Sequence, residues 1–368
     1  MNCINNRKLG IDIIKTVAVI FVMNVHFFLN TSFYTTAITD KNMFFQSVIR
    51  WIFLSCVPLF LLATGFLMYK KTASKQYFLK LVHIFASYVV ISIICLIFNT
   101  FYLHTHYTFY SAIFSIFNFS ADTYSWYLNM YLRLYLIIPF INIVLNSIDK
   151  KAYHILISIL LLLIAIPAAI NPILTCKPFL SIVYFPDWWQ SFYPIIYYII
   201  GAYIGKYQPK VNRKLCIAVV LFIAIMQTFI LIWARKPQVN NWFLSNYSSL
   251  FIIAQSTAIF LALYDVDCKL PITQNLFKMI STSTLEIFLL SYLVDHVLYN
   301  KSTPIFNFHL SQQQMFRNYY LIAVPICMVC DILIAVIYRF LYDRIIILIS
   351  TRKVNILCII KAVTIHAR

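Results

Sequence analysis

The sequence predicts an all-α, polytopic integral membrane protein with about ten transmembrane helices and both termini cytoplasmic. Three observations predict it. Of 368 residues, 62% are hydrophobic and 11% charged, whereas a soluble domain carries about 25% charged residues. Apolar runs close to the ~20 residues that cross a hydrocarbon core recur along the whole chain. The Lys and Arg residues behind the net charge of +18 alternate between the two sides of those runs.

The runs lie at residues 11–30, 47–69, 78–100, 126–146, 153–174, 189–206, 214–234, 247–265, 279–299 and 318–342. The first carries charges and no small-residue cleavage site, so it reads as a retained helix and not a signal peptide. The second ends at Lys70 and Lys71, and the third begins after Lys75 and around Lys80. The fourth and fifth meet at Lys150 and Lys151, and the sixth and seventh at Lys206 to Lys214. Lys269 and Lys278 stand between the eighth and ninth, and Arg339 and Arg344 close the tenth. With Arg7, Lys8 and the C-terminal residues, 20 of the 29 basic side chains share one side. Lys41, Arg50, Lys177, Arg235, Lys236, Lys301 and Arg317 fall on the other, and Lys15 and Arg133 fall inside runs. The positive-inside rule makes the richer side cytoplasmic. The basicity is therefore a topology signal that adds a weak attraction to anionic lipid, and nucleic acid is not an expected partner.

Four glycines in the whole chain give little support for the broken helices of transporters. The loop 101–125, rich in Tyr, Phe and Ser, is external and long enough to cover a site in the membrane. Residues 1–343 form the transmembrane domain. The tail 344–368 alternates apolar stretches with Arg and Lys, as a basic amphipathic helix on the cytoplasmic surface does. The nine cysteines lack zinc or disulfide spacing; Cys327 and Cys330 sit at i,i+3 in an apolar helix and read as packing. His104 and His106 without nearby carboxylates make no metal site.

An ionisable group inside the membrane is costly unless paired or wet, and so marks function. Such groups are Asp12, Lys15, His26, His83, Arg133, Glu286, Asp295, His296 and Asp331, and Glu286 is the sole glutamate of the chain. Lys15 and His26 are 11 residues apart, so they share a helix face about 16 Å apart. A cation low and an imidazole high suit an anionic donor entering from inside and an acceptor hydroxyl further out, with His26 positioned to take its proton. The plainer alternative has Lys15 snorkelling to the interface, paired with Asp12 at i,i+3, and His26 bonded to a neighbouring helix.

The segment N-R-K-L-G-I-D-I-I-K-T-V-A-V-I-F-V-M-N-V-H, residues 6–26, resembles the first helix of the membrane acyltransferase-3 family, which carries R/K-x10-H. Lys15 and His26 occupy its two positions, and Asp12 fits the common D-x-x-R opening. C-V-P-L-F-L-L-A-T-G-F-L-M (56–68), W-Y-L-N-M-Y-L-R-L-Y-L-I-I-P (126–139), Y-Y-I-I-G-A-Y-I-G (197–205) and S-T-S-T-L-E-I-F-L-L-S-Y (281–292) are similar, in order, to later family segments. Lys15 stands where many members have Arg, Ser291 replaces a late histidine, and the glutamate of W-S-L-x-V-E is missing after Trp126.

The resemblance implies a multi-pass enzyme of the bacterial plasma membrane. It would move an acetyl group from cytoplasmic acetyl-CoA to a hydroxyl of a cell-surface polysaccharide or its lipid-linked precursor, without a metal. In that frame Lys15 anchors the donor, and His26 is either the general base or a transient acyl carrier. Thr64 or Arg133 would stabilise the oxyanion, with Glu286 or Asp331 as the buried partner of Arg133. Asp12 and Trp126 complete the substrate-contacting set. Asp295 and His296 either face the acceptor or are solvated at the interface, and Trp188, Trp189 and Tyr193 either stack on sugars or form an aromatic belt. Composition alone equally fits a transporter or flippase for polysaccharide or lipid-linked sugar. The R/K-x10-H pattern and the scarcity of glycine favour the enzyme over that and over a non-catalytic partner of an export complex.

Overall fold

Where no water reaches the backbone, a spanning segment satisfies its own N–H and C=O groups by coiling into a helix, and 81% of this chain is helical. The computed structural model describes residues 7–175, 185–235, 246–267, 271–300, 306 and 310–366, with the side chains of 175, 235 and 346–366 excepted. Lys177, Lys236, Lys269 and Lys301 lie outside them, as do the basic side chains of the tail from Arg352 onward.

In chain order the helices are α1 (Leu9–Asn30), α2 (Lys41–Phe53), α3 (Cys56–Met68), α4 (Lys75–Phe101), α5 (Phe109–Phe117), α6 (Trp126–Ser147), α7 (Lys150–Leu160), α8 (Ile166–Thr175), α9 (Tyr193–Tyr207), α10 (Arg213–Arg235), α11 (Leu250–Leu263), α12 (Pro271–Thr282), α13 (Thr284–Leu298) and α14 (Gln312–His366). Among the described residues there is no strand. A π-turn at Leu161–Ala165 joins α7 to α8. The break at Leu54–Ser55 between α2 and α3 is stitched from α11, where Gln255 Nε2 donates to the Trp51 carbonyl at 2.7 Å and to Ser55 Oγ at 3.1 Å.

Among the described residues seven helical stretches are long and apolar enough to cross a membrane, and α12 with α13, bent by 72°, would make an eighth. The ten apolar runs are thus more numerous than the membrane-length helices. α9 and α11 have 15 and 14 residues, because the run at 189–206 spends its start on a turn and a short 3-10 helix, and the run at 247–265 begins in a turn. Both are largely buried against neighbouring helices, where a core helix has the same composition as a spanning one. α2 begins at Lys41, which places Arg50 well inside a helix. It is buried there, with Nε donating to Tyr34 Oη at 3.2 Å.

α3 and α9 cross at their closest through glycine. A Cβ at Gly65 would stand 2.1 Å from the Tyr198 carbonyl oxygen, and one at Gly201 would stand 2.1 Å from that of Leu62. Only a residue without a side chain permits this approach. At the end of the bundle marked by the start of α1, Lys206 Nζ donates to the Leu145 carbonyl at 2.9 Å, Asn142 to those of Met68 and Lys71, and Arg213 pairs with Asp265 at 2.8 Å. These ties gather the helix ends bearing Lys70, Lys71, Lys75, Lys150, Lys206 and Arg213 at one end, hereafter the basic end.

The loop 101–125 contains α5, whose Phe109, Tyr110, Phe114 and Phe117 are exposed. Its last turn folds inward: Asp122 accepts from the backbone N–H of Tyr124 at 2.7 Å and of Ser125 at 2.8 Å, and from the Ser125 hydroxyl. α14 continues unbroken as a 55-residue helix through 344–366.

Candidate active site

Two ties hold α1 alongside α12 and α13. At the basic end Asp12 is buried; it receives two hydrogen bonds from the Arg7 guanidinium, at 2.6 and 2.7 Å, and one from Ser281 Oγ at 2.6 Å. Fourteen residues further along each chain, His26 Nδ1 stands 2.7 Å from Asp295 Oδ2, with both side chains at or below 5% exposure. The fourteen residues from Ser281 to Asp295 cross the bend that follows Thr282 and then run along α13 beside α1. The bend between α12 and α13 is held from α14, where Arg339 donates to the Thr282 carbonyl.

Tyr124, delivered by the inward turn of the loop 101–125, completes the group. Its hydroxyl donates to Asp295 Oδ2 at 2.7 Å, and its ring stacks on the His26 imidazole at 4.2 Å and 17°. The Nδ1–Oδ2 approach is a close contact whose angle falls short of a hydrogen bond; an imidazole that keeps a carboxylate beside Nδ1 has its Nε2 available to accept a proton. The arrangement can act as a general base.

Two cavities flank this pair. The larger, of about 680 Å³, lies at the basic end and is lined by Arg7, Lys8, Lys15, Arg339, Asp12 and Glu286, with Thr64, Phe60, Tyr127 and Tyr131 among its deeper residues. Four cations against two carboxylates leave it net positive, as a polyanion requires. Because Asp12 is bonded to Arg7 and Ser281, Lys15 makes no ion pair within 4.0 Å among the described residues. The smaller cavity, of about 320 Å³, is lined by His26, Tyr124, Trp126, Cys56, Asn30 and Tyr247. Phe288 alone borders both.

The remaining expected residues separate accordingly. Thr64 borders the basic cavity, but its hydroxyl donates to the Phe60 carbonyl at 2.8 Å. Trp126 borders the His26 cavity and stacks on Tyr247 at 6.1 Å. Arg133 is not brought to either cavity: it is exposed on the outward face of α6 and pairs with neither Glu286 nor Asp331. A residue one position away in an α-helix is turned by about 100°, and here the neighbouring Leu134 holds the buried face. Asp331 is fully buried on α14 without a hydrogen-bond partner among the described residues. His296 turns back to the Tyr292 carbonyl at 2.8 Å. No group of three or more His, Cys, Asp or Glu side chains converges among the described residues.

Sequence reasoning missed Arg7, Ser281, Tyr124, Phe288 and Arg339, and it left Asp295 open between acceptor and solvent. The only local signal was the D-T-Y-S turn before Trp126, whose Asp caps its own backbone two and three residues on.

A bundle of apolar helices enclosing a buried imidazole and carboxylate, with a basic cavity on one side, defines a membrane-embedded group-transfer enzyme. The acyltransferase-3 family, an acyltransferase domain, matches residues 8–338; the chain belongs to that family and is a membrane acyltransferase. No curated protein and no solved structure matches it.

Proposed function

We propose that the protein is an O-acetyltransferase of the plasma membrane that takes an acetyl group from cytoplasmic acetyl-CoA to a hydroxyl of a cell-surface polysaccharide or its lipid-linked precursor. The single observation that carries the reading is the buried contact of 2.7 Å between His26 Nδ1 and Asp295 Oδ2 on the wall of a cavity. The polyphosphate of the donor lies in the basic cavity, where Lys15 and Arg339 offer charge, and the acceptor hydroxyl enters beside His26. As the hydroxyl oxygen attacks the thioester carbonyl, His26 Nε2 takes its proton. The new C–O bond forms, the C–S bond breaks, and the departing thiolate receives that proton, giving an ester and free CoA thiol. Asp295 steadies the imidazolium in between.

The test is the O-acetyl content of envelope glycan in cells producing His26→Ala at the wild-type membrane level. Loss of the esters is expected; content equal to wild type, in a strain where deletion abolishes it, would overturn the reading.

A further inference from the structure

The two cavities meet at one side chain. Phe288 is 5% exposed and borders both; its ring centroid is 5.1 Å from Tyr127, 5.9 Å from Tyr124 and 6.3 Å from His26. On α13 it lies two residues beyond Glu286, which borders the basic cavity, and seven before Asp295. Seven residues are close to two helical turns, so Phe288 and Asp295 share a face about 10 Å apart. The ring is therefore a wall between the cations and the imidazole, and nothing on the His26 side carries a Lys or Arg.

We propose, building on the acyl-transfer reading above, that Phe288 is the partition past which the acyl group reaches His26, and that its bulk limits the length of the acyl chain transferred. Reacting atoms have to approach to about 3–3.5 Å, so a thioester whose charged part stays at the basic end brings its carbonyl up to the Phe288 and Tyr127 rings. An acetyl group adds one methyl beyond that carbonyl. Each further methylene has to lie against the Phe288 ring, between it and the Tyr127 and Tyr124 rings that flank it. One methylene in such a pocket changes transfer about 10- to 200-fold. The ligand class assigned is thus the shortest acyl thioesters, with straight-chain propionyl and butyryl donors disfavoured in turn by this side chain.

The test uses membranes from cells producing the full chain, with their own envelope glycan as acceptor and radiolabelled acetyl-, propionyl- or butyryl-CoA as donor. Label released from glycan by mild base is counted. Wild type is expected to transfer acetyl, and Phe288→Ala to raise the butyryl-to-acetyl ratio at least about tenfold. Phe288→Leu, which keeps the space apolar and partly filled, shifts the ratio the same way by less, and Phe288→Trp lowers propionyl relative to acetyl. Acetyl transfer that persists in the Leu and Trp variants with both ratios at wild-type values overturns the partition and leaves acyl transfer standing. No label from any donor with wild type removes the acyl-transfer reading itself.

Discussion

Asp295 meets His26 across a helix interface deep in the bundle, Oδ2 to Nδ1 at 2.7 Å, and Tyr124 donates to the same carboxylate oxygen at the same distance. One oxygen thus faces an imidazole and a phenol together, in buried surroundings that strengthen such contacts.

Asp295→Asn keeps the shape of the carboxylate and removes its charge. Its kcat should fall about 10²- to 10⁴-fold, the span that an acid–base group supplies, with donor KM little changed and an altered pH profile of kcat. Tyr124→Phe keeps the stacked ring and removes one hydrogen bond, a loss of about 1 kcal/mol or roughly fivefold. Equal, modest losses in both variants with the wild-type pH profile would mark the group as structural.

Lys15 faces the basic cavity with no anionic partner within 4.0 Å among the described residues. Lys15→Ala should raise the donor KM about 10- to 100-fold, the range for a hydrogen bond to a charged group, and Lys15→Arg should recover most of it. Photo-crosslinking with a CoA analogue checks this directly: labelling of Lys15→Ala at wild-type intensity would exclude Lys15 as the anchor.

Gly65→Ala and Gly201→Ala each place a methyl carbon 2.1 Å from a carbonyl oxygen of the facing helix. Neither neighbour is a flexible side chain, so α3 and α9 have to move apart. A loss of about 1–3 kcal/mol is expected, read as a lower midpoint for thermal loss of the monodisperse species in detergent.

Asp40 caps α2 by accepting from the Met43 N–H at 2.8 Å, and it accepts from Gln313 at 2.8 Å. The Met43 bond first, and then that of Gln313, holds its carboxyl below the usual range. A depressed carboxyl contributes stability above its unfolded pKa and loses it as pH falls through the folded one. Asp40→Ala should therefore cost about 1 kcal/mol at neutral pH, with the difference from wild type shrinking as the medium is acidified below the ordinary carboxylate range. A difference that stays constant with pH would exclude the ionised cap.

The helical character, the gathering of basic helix ends and the shared face of Lys15 and His26 were legible in the sequence, because each rests on a local period. Asp295 and Tyr124 were not, since 269 and 98 residues separate them from His26 and no spacing rule reaches that far. Arg50 reads as a basic residue of the non-cytoplasmic side and Arg133 as a buried one because hydropathy reports how apolar a stretch is, not where its helix begins or which way each side chain points. The helices α9 and α11 are shorter than the apolar runs that contain them for the same reason. Asp12 shows a choice that sequence leaves open: Lys15 was its nearest basic neighbour by helical spacing, yet Arg7, beyond the helix start, takes the carboxylate with both of its forks.

α1 runs without interruption from Leu9 to Asn30, and that continuity makes it a ruler. Between Lys15 and His26 every peptide unit contributes a fixed 1.5 Å and about 100°, so a substitution that packs as well leaves the gauge unaltered while a single inserted or deleted residue swings the imidazole away from Asp295. A four-residue insertion would nearly restore the direction but lengthen the gauge by about 6 Å. None of the residues between Lys15 and His26 is exposed, so over this stretch packing limits the letters of the chain and the gauge fixes their count.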